Sequence, residues 1–442
     1  MKSTSEAGAF WRNRFPFNAA TIRRYFIWQH RWAGLLMTGF LFVAGLTGTI
    51  LAFDREIDEW LIPEMTHVPV QDKPQLDPFA LRDRALAILP HAFFNVVPMN
   101  TAPGDVVFFF PEPRLNPATG KPFDLDCTGL YLNPYTGEEN ARRTSQDGHP
   151  FLFTRKNFVF DVYTLHSSLC AGRTGYLLFG IVALIWTVDC FVGFYLTLPA
   201  SRGPFWKRWG LAWWVKWRAN AFRINFDLHR AAGLWTWAML FVFAISTVGF
   251  NLPQVYNPVM KCLFHIPDSP VIRTLPQPAP DPGLDWRDAA AIGERLAADQ
   301  ARLHGFKLKQ ARGETYFMYD PDSGTFRYSA HGDRDVGYHY PAVTVIFDGR
   351  TGELRGSEFA SGENAGVTFT NWVSAVHGRT IGGTAMQLVV GIMGIVIAML
   401  SITGVYIWWK KWRVRRIPGS RQRSPGDQAT NHPIPNPREA RV

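Results

Sequence analysis

Four stretches of the chain are apolar without interruption. Residues 32–53, 231–260 and 380–409 carry no charged side chain, and 174–201 carry only Asp189. Each exceeds the roughly 20 helical residues that cross a hydrocarbon layer of about 30 Å. The pattern predicts a membrane α-helical fold with four spans, at 25–53, 161–198, 224–251 and 371–409. The polar stretches between them change period. Residues 77–89 and 285–299 have helical spacing and acidic starts. Residues 106–110, 130–132, 316–319 and 343–347 read as short strands, with turns at Asn133-Pro134 and Asp348-Gly349. Two small α+β modules are therefore expected, at 54–160 and 252–370. The segment 205–217 (FWKRWGLAWWVKW) is basic and aromatic and fits a helix lying on a membrane surface. The Pro-, Arg- and Ser-rich tail from Ile417 is expected to be disordered.

Charge supplies the orientation. The chain of 442 residues has 46 Lys+Arg against 36 Asp+Glu, a formal net charge of +10. Segments 1–24, 199–228 and 410–442 hold 20 Lys/Arg and 4 Asp/Glu, whereas 54–160 and 252–370 hold 22 and 30. Basic residues collect on the cytoplasmic side of membrane proteins. Both termini (1–24 and 410–442) and the 199–223 loop are therefore expected in the cytoplasm, with the modules outside, in a periplasm. The basic residues then serve as membrane anchors, which removes the argument for nucleic acid. The first apolar run is too long for a secretory signal and lacks a small-residue cleavage site, so it reads as a retained span.

The chain is written twice. His30-Arg31-Trp32-Ala33-Gly34-Leu35 matches His229-Arg230-Ala231-Ala232-Gly233-Leu234 at an offset of 199. The returning spans match at an offset of 211, pairing His166 with His377, Gly172 with Gly383, Gly180 with Gly391, Gly193 with Gly404 and Tyr195 with Tyr406. Segment 130–138 (LYLNPYTGE) aligns with 345–353 (VIFDGRTGE). The repeated unit is span, module, span. Two such units share one orientation and are expected about an axis along the membrane normal.

Only four of the 12 histidines accompany the spans. His30 and His229 open the outgoing spans, and His166 and His377 open the returning ones, which sorts them into a cytoplasmic and an outer layer. Ionisable side chains at membrane depth usually face the bundle interior with a partner. Neutral imidazole is a common axial ligand of heme iron. Two facing histidines per layer make a bis-His site, and two layers make two hemes. Arg31 and Arg230 follow the inner pair, and Arg173 and Arg379 follow the outer pair, placed to bind heme propionates. Gly34, Gly172, Gly180, Gly233, Gly383 and Gly391 suit close approach of a flat macrocycle, or ordinary helix packing. The plainer alternative is that each histidine only bonds a neighbouring helix.

Several chemistries have no support in the sequence. There is no C-x-x-C-H for covalent heme and no C-x-x-C pair for zinc or iron–sulfur. No Rossmann fingerprint follows a strand. Cys127, Cys170 and Cys262 fall in or near the outer segments, where a disulfide is permitted, and Cys190 lies within a span. Asp189 has no counterpart in the repeat, which carries Leu400, and is expected to bond a polar neighbour. A fully helical run from His166 to Leu198 would be roughly 48 Å long. That would raise the outer layer to the headgroups and leave Trp186, Trp235 and Trp237 to bridge the gap.

The paired spans, the His-Arg-x-Ala-Gly-Leu span starts and the strand–turn–Thr-Gly-Glu segments resemble the PepSY-associated transmembrane proteins, over about residues 20–412. The resemblance is to the iron-regulated branch, which includes diheme ferric-siderophore reductases of the bacterial inner membrane. It implies two b-type hemes, His30 and His229 holding one and His166 and His377 the other, under periplasmic PepSY modules. It also implies an oxidoreductase that delivers electrons to a periplasmic ferric siderophore and releases Fe(II). The donor would be a quinol or a cytoplasmic reductase. Two alternatives stand beside it: a quinol-linked diheme cytochrome serving another periplasmic acceptor, and a non-enzymatic PepSY binding or protease-regulating protein. A transporter is less well supported, because the spans lack paired midplane interruptions. Outer-facing substrate candidates are His149, Tyr163, Tyr256, His265, His331, His339 and Trp372, though an ordinary surface or packing role suits each of them better.

Overall fold

The computed structural model describes residues 19–144, 154–200, 203–264, 266, 272–309 and 315–416. The first helix, α1 (Ala19–Leu51), carries the first apolar run. Two short helices, α2 (Asp54–Leu61) and α3 (Pro63–Thr66), lead to α4 (Pro78–Ile88). Asp77 starts α4 by accepting the Phe79 and Ala80 amides, with Pro78 at the first turn, where its missing N–H costs nothing. Strands β1 (Ala92–Phe93), β2 (Val96–Pro98), β3 (Val107–Phe109), β4 (Glu112–Pro113), β5 (Cys127–Leu132) and β6 (Glu139–Thr144) complete the first module. The chain then forms α5 (Phe158–Ser168), α6 (Gly172–Thr197), α7 (Phe205–Gly210) with a 3-10 turn at Leu211–Trp213, α8 (Ala221–Trp235), α9 (Trp237–Asn251) and α10 (Pro253–Phe264). The second module comprises α11 (Trp286–Leu303), β7 (Tyr316–Asp320), β8 (Thr325–Ala330), β9 (Val343–Asp348) and β10 (Leu354–Phe359). Helices α12 (Ala365–His377) and α13 (Gly383–Arg416) follow.

Three helices, α1, α6 and α13, are long and apolar enough to cross a membrane. The pair α8 and α9 makes a fourth candidate, bent by 69° at Thr236. The run expected as a single span at 161–198 is in fact two helices. α5 ends where Leu169 and Cys170 take left-handed backbone (φ 51° and 55°), and α6 starts at Gly172. The 371–409 run breaks in the same place in its copy, between α12 and α13, with Arg379 at φ 52°. Helix α1 packs chiefly on α13, and α9 on α6, so each outgoing helix lies against the returning helix of the other copy. At the α1–α13 crossing the backbones touch: a Cβ on Gly45 would stand 2.6 Å from the Gly394 carbonyl oxygen.

The two modules share a sheet, which separate modules would not. β3-β5-β6 form one sheet and β1-β4 a short ribbon, but β2 leaves them to become the edge strand of β10-β9-β8-β7-β2. It pairs antiparallel with β7, Val97 opposite Phe317. Both side chains are fully buried in a core with Trp286, Phe326, Val345 and Phe347, and Arg82 of α4 stacks over Trp286 at 4.1 Å. Covering the β7 edge in this way also removes an open strand. The first module keeps its own core of Leu81, Phe94, Phe109, Leu130 and Leu132. The two Thr-Gly-Glu turns use one bonding scheme. Asn133 and Asp348 each exchange backbone bonds with the Glu and Gly that follow, and cap an amide two residues on.

Candidate functional site

The helices bring the four histidines together in two pairs, each drawn from both copies. His30 on α1 and His229 on α8 have ring centroids 6.3 Å apart, their planes at 63°. His166, at the end of α5, and His377, at the end of α12, are also 6.3 Å apart, at 89°.

Each ring is held from behind through Nδ1. His30 Nδ1 lies 2.9 Å from Asp189 Oδ2 on α6, and the other Asp189 oxygen accepts from Gln29 Nε2 at 3.3 Å. His229 Nδ1 lies 3.0 Å from Thr403 Oγ1, His166 Nδ1 3.0 Å from Thr47 Oγ1, and His377 Nδ1 2.7 Å from Ser246 Oγ. A hydroxyl has one proton, and all three hydroxyls direct it to the backbone carbonyl four residues earlier, Met399, Val43 and Val242. They therefore accept from the rings, as the Asp189 carboxylate does. Nδ1 carries the proton in all four, and Nε2 keeps its lone pair. Fixing the tautomer through a bond to the other ring nitrogen is the usual arrangement of a metal-ligating histidine.

The spacing and the surroundings suit a metal held between the rings. Two metal–nitrogen bonds of about 2 Å, with half an imidazole on each side, make a centroid separation of roughly 6 Å. Among the described residues no three His, Cys, Asp or Glu gather at one point, and a metal between two imidazoles keeps positions that a macrocycle could fill. Beside His30 and His229 is a cavity of about 500 Å³, within the range of cofactor pockets. Its walls include Gly34 and Gly233. A Cβ on Gly34 would meet nothing within 4 Å, and one on Gly233 only a Leu400 methyl at 3.9 Å. Arg31 and Arg230 line it too. Arg230 Nη2 is bound by Asp227 and the Leu211 carbonyl, but its Nε is buried without a partner. A propionate is the kind of acceptor that would satisfy it.

The family model described as "PepSY-associated TM region" matches residues 27–411. The chain belongs to the PepSY-associated transmembrane family. It is thus a membrane protein, its candidate spans lying in the lipid bilayer. Among curated proteins none matches it.

In this PepSY-associated chain the two histidine levels are closer than a straight 161–198 helix would place them. Because α5 folds back beside α6, His166 reaches only the Gly48 level of α1, where its Cε1 is 3.2 Å from a Cβ built on that glycine. His30 and Thr47 share α1, and their 17 residues span roughly 25 Å. Leu41, Trp186, Leu240, Phe243 and Met393 fill part of the interval, and the Phe243 ring sits 5.0 Å from His377. Trp237 lines the 500 Å³ cavity. Trp235 does not lie between the levels; it is exposed and packs edge-on against Trp213 at the Arg-rich end.

The other expected residues are dispersed. Arg379 pairs with Asp54 and reaches the Leu51 carbonyl, and Arg173 is exposed at the start of α6. Gly193 and Gly404 face the Cε1 atoms of His30 and His229, whereas Gly180 packs on Leu252 and Gly391 on Phe53. Tyr256 is buried, bonds Thr370 and lines a second cavity of about 260 Å³ that runs from Ser246 to Tyr340 of the second module. His331 is buried on Asp335, while Tyr163, His339 and Trp372 are exposed. His149, His265 and the tail from Ile417 lie outside the described residues. All four cysteines are free thiols. Thr47, Ser246 and Thr403 are not among the residues singled out by the sequence pattern. The first two did carry a signal, since both are hydroxyls at matching places in the repeat.

Proposed function

We propose that this protein is a diheme b-type electron conduit of the bacterial inner membrane. It would pass electrons from the Arg-rich, cytoplasmic end to a ferric siderophore at the periplasmic module end and release Fe(II). The observation that carries this reading is the pair of facing imidazole couples, each with Nδ1 tied back and Nε2 bare. Bound heme would supply one-electron redox chemistry. The protein's part is to hold the rings at fixed separation, neutralise propionates with Arg31 and Arg230, and exclude water with the apolar side chains between the levels.

The reaction balances without further groups. A quinol gives up two electrons and two protons and becomes a quinone, and each electron reduces one chelated Fe(III) to Fe(II). A soluble reductase docking on the basic segment 205–217 would serve equally as donor. Oxygen-rich chelators hold Fe(III) far better than Fe(II), so reduction loosens the complex.

The test is reoxidation. Purified protein, reduced with dithionite and freed of excess reductant, is mixed with ferric hydroxamate and ferric catecholate complexes in stopped flow. The Soret and α bands should return to the ferric form within a single turnover, with Fe(II) trapped by a ferrous chelator. A reduced protein indifferent to every ferric chelate but oxidised by another acceptor would favour the quinol-linked cytochrome instead.

A further inference from the structure

Three of the four imidazoles are backed by a neutral hydroxyl: Thr47 behind His166, Ser246 behind His377 and Thr403 behind His229. His30 alone is backed by a carboxylate, Asp189, at 2.9 Å. That carboxylate is itself enclosed: Asp189 is 5% exposed, and Gln29 Nε2 holds its second oxygen. No Lys or Arg is paired with it in any ion pair among the described residues, where its partner is His30. The duplication makes the difference sharper, since the matching position is Leu400 and the copy bonds its histidine from Thr403, three residues later.

We infer that Asp189 is a positioning residue that sets the direction of electron flow, by lowering the reduction potential of the Arg-rich-end heme below that of the module-end heme. The inference rests on the heme ligation proposed above. A carboxylate accepting the Nδ1 proton pushes electron density into the ring and makes Nε2 a more basic ligand. A more basic axial ligand favours Fe(III) over Fe(II), as does an uncompensated negative charge in a low-dielectric interior. Neutral hydroxyls that already give their own proton to a carbonyl polarise the ring much less. The site nearer the donor therefore becomes the weaker electron acceptor, and the electron moves downhill toward the modules. One side chain that broke the internal symmetry would thus give a nearly symmetric conduit its polarity.

The test is a spectroelectrochemical titration of the full-length protein in detergent, wild type against Asp189→Asn, which keeps an acceptor oxygen and removes the charge. Wild type should show two separated midpoints. In the variant the lower one should rise, so that the ferric-to-ferrous ratio of that heme at fixed potential falls about tenfold, or about 59 mV for a one-electron couple. The upper midpoint should stay in place, and one of the two low-spin ferric EPR signals should change its g values. Should Asp189→Asn lose a heme, Asp189→Leu combined with Val192→Thr copies the Leu400 and Thr403 arrangement behind His229 and should restore binding at the raised potential. Two retained hemes with unmoved midpoints would overturn the role of Asp189 while leaving the conduit intact. Loss of the heme in both variants would also overturn it, making the residue structural. Absence of heme from the wild type would overturn the proposed function itself.

Discussion

At the scale of single residues, what distinguishes the four histidines is what stands behind them. A histidine that merely stitches helices would spend either nitrogen on whatever polar group lies near. Here all four spend Nδ1 and turn toward a second imidazole. Away from the spans, a clear single-residue effect is at Asp58. Burial raises its carboxyl to about 6, Arg143 opposing and Asp54 adding to the shift. Unfolded, the same group titrates near about 4. As pH rises from about 4 to 6 the unfolded chain gives up this proton first, so this group's contribution to native stability is complete below about pH 4 and lost above 6. Asp58→Asn removes the penalty, on the order of 1 kcal/mol. Thermal melts should show a higher Tm for the variant at pH 7.5 and no difference at pH 4; equal melts at both would refute the assignment. The histidines and the inner arginines were legible in the sequence because the repeat aligned them. The hydroxyls behind the rings were not, because a Ser or Thr bonding back to the preceding turn is ordinary in any apolar helix. Asp189 was legible as a polar contact, though His30 as its partner depended on how α1 and α6 pack.

At the scale of elements, the apolar runs fall on helices, but hydropathy could not find where those helices break. Leu169, Cys170 and Arg379 hold left-handed backbone without being glycine, and Gly172, Gly382 and Gly383 hold it beside them; those glycines did not mark the breaks because glycine in an apolar run serves helix packing equally well. The breaks matter because they fold α5 beside α6 and set α12 against α9 and α10, which fixes the depth of His166 and His377. Gly175 is what allows the first of these folds: a Cβ there would stand 1.7 Å from the Ser168 carbonyl oxygen. Gly175→Ala should therefore force α5 off α6, at a cost of roughly 1–3 kcal/mol or more, and displace His166. The purified variant should keep the Arg-rich-end heme and lose the other; a full heme complement at an unchanged Tm would contradict that geometry. The shared sheet was equally illegible. Strands 316–319 and 343–347 were visible as short apolar runs, the second entering a turn, but β2 joining β7 is a pairing of segments more than 200 residues apart that no local pattern encodes.

At the scale of the whole molecule, duplication explains how a chain with so few polar residues in its spans can build two like sites at two depths. Each copy supplies one histidine per level, so neither half holds a complete site and the sites exist only where the halves meet. The shared β2–β7 sheet ties the modules in the same crosswise sense as the helices. The central claim is that an iron porphyrin is clamped at each level, and heme counting tests it most directly. Protein purified from heme-sufficient cells and assayed as pyridine hemochromogen should hold two non-covalent hemes per chain, falling to one in His166→Ala or His377→Ala and staying at two in His331→Ala. A wild-type protein without heme, or an unchanged count in the first two variants, would contradict the account.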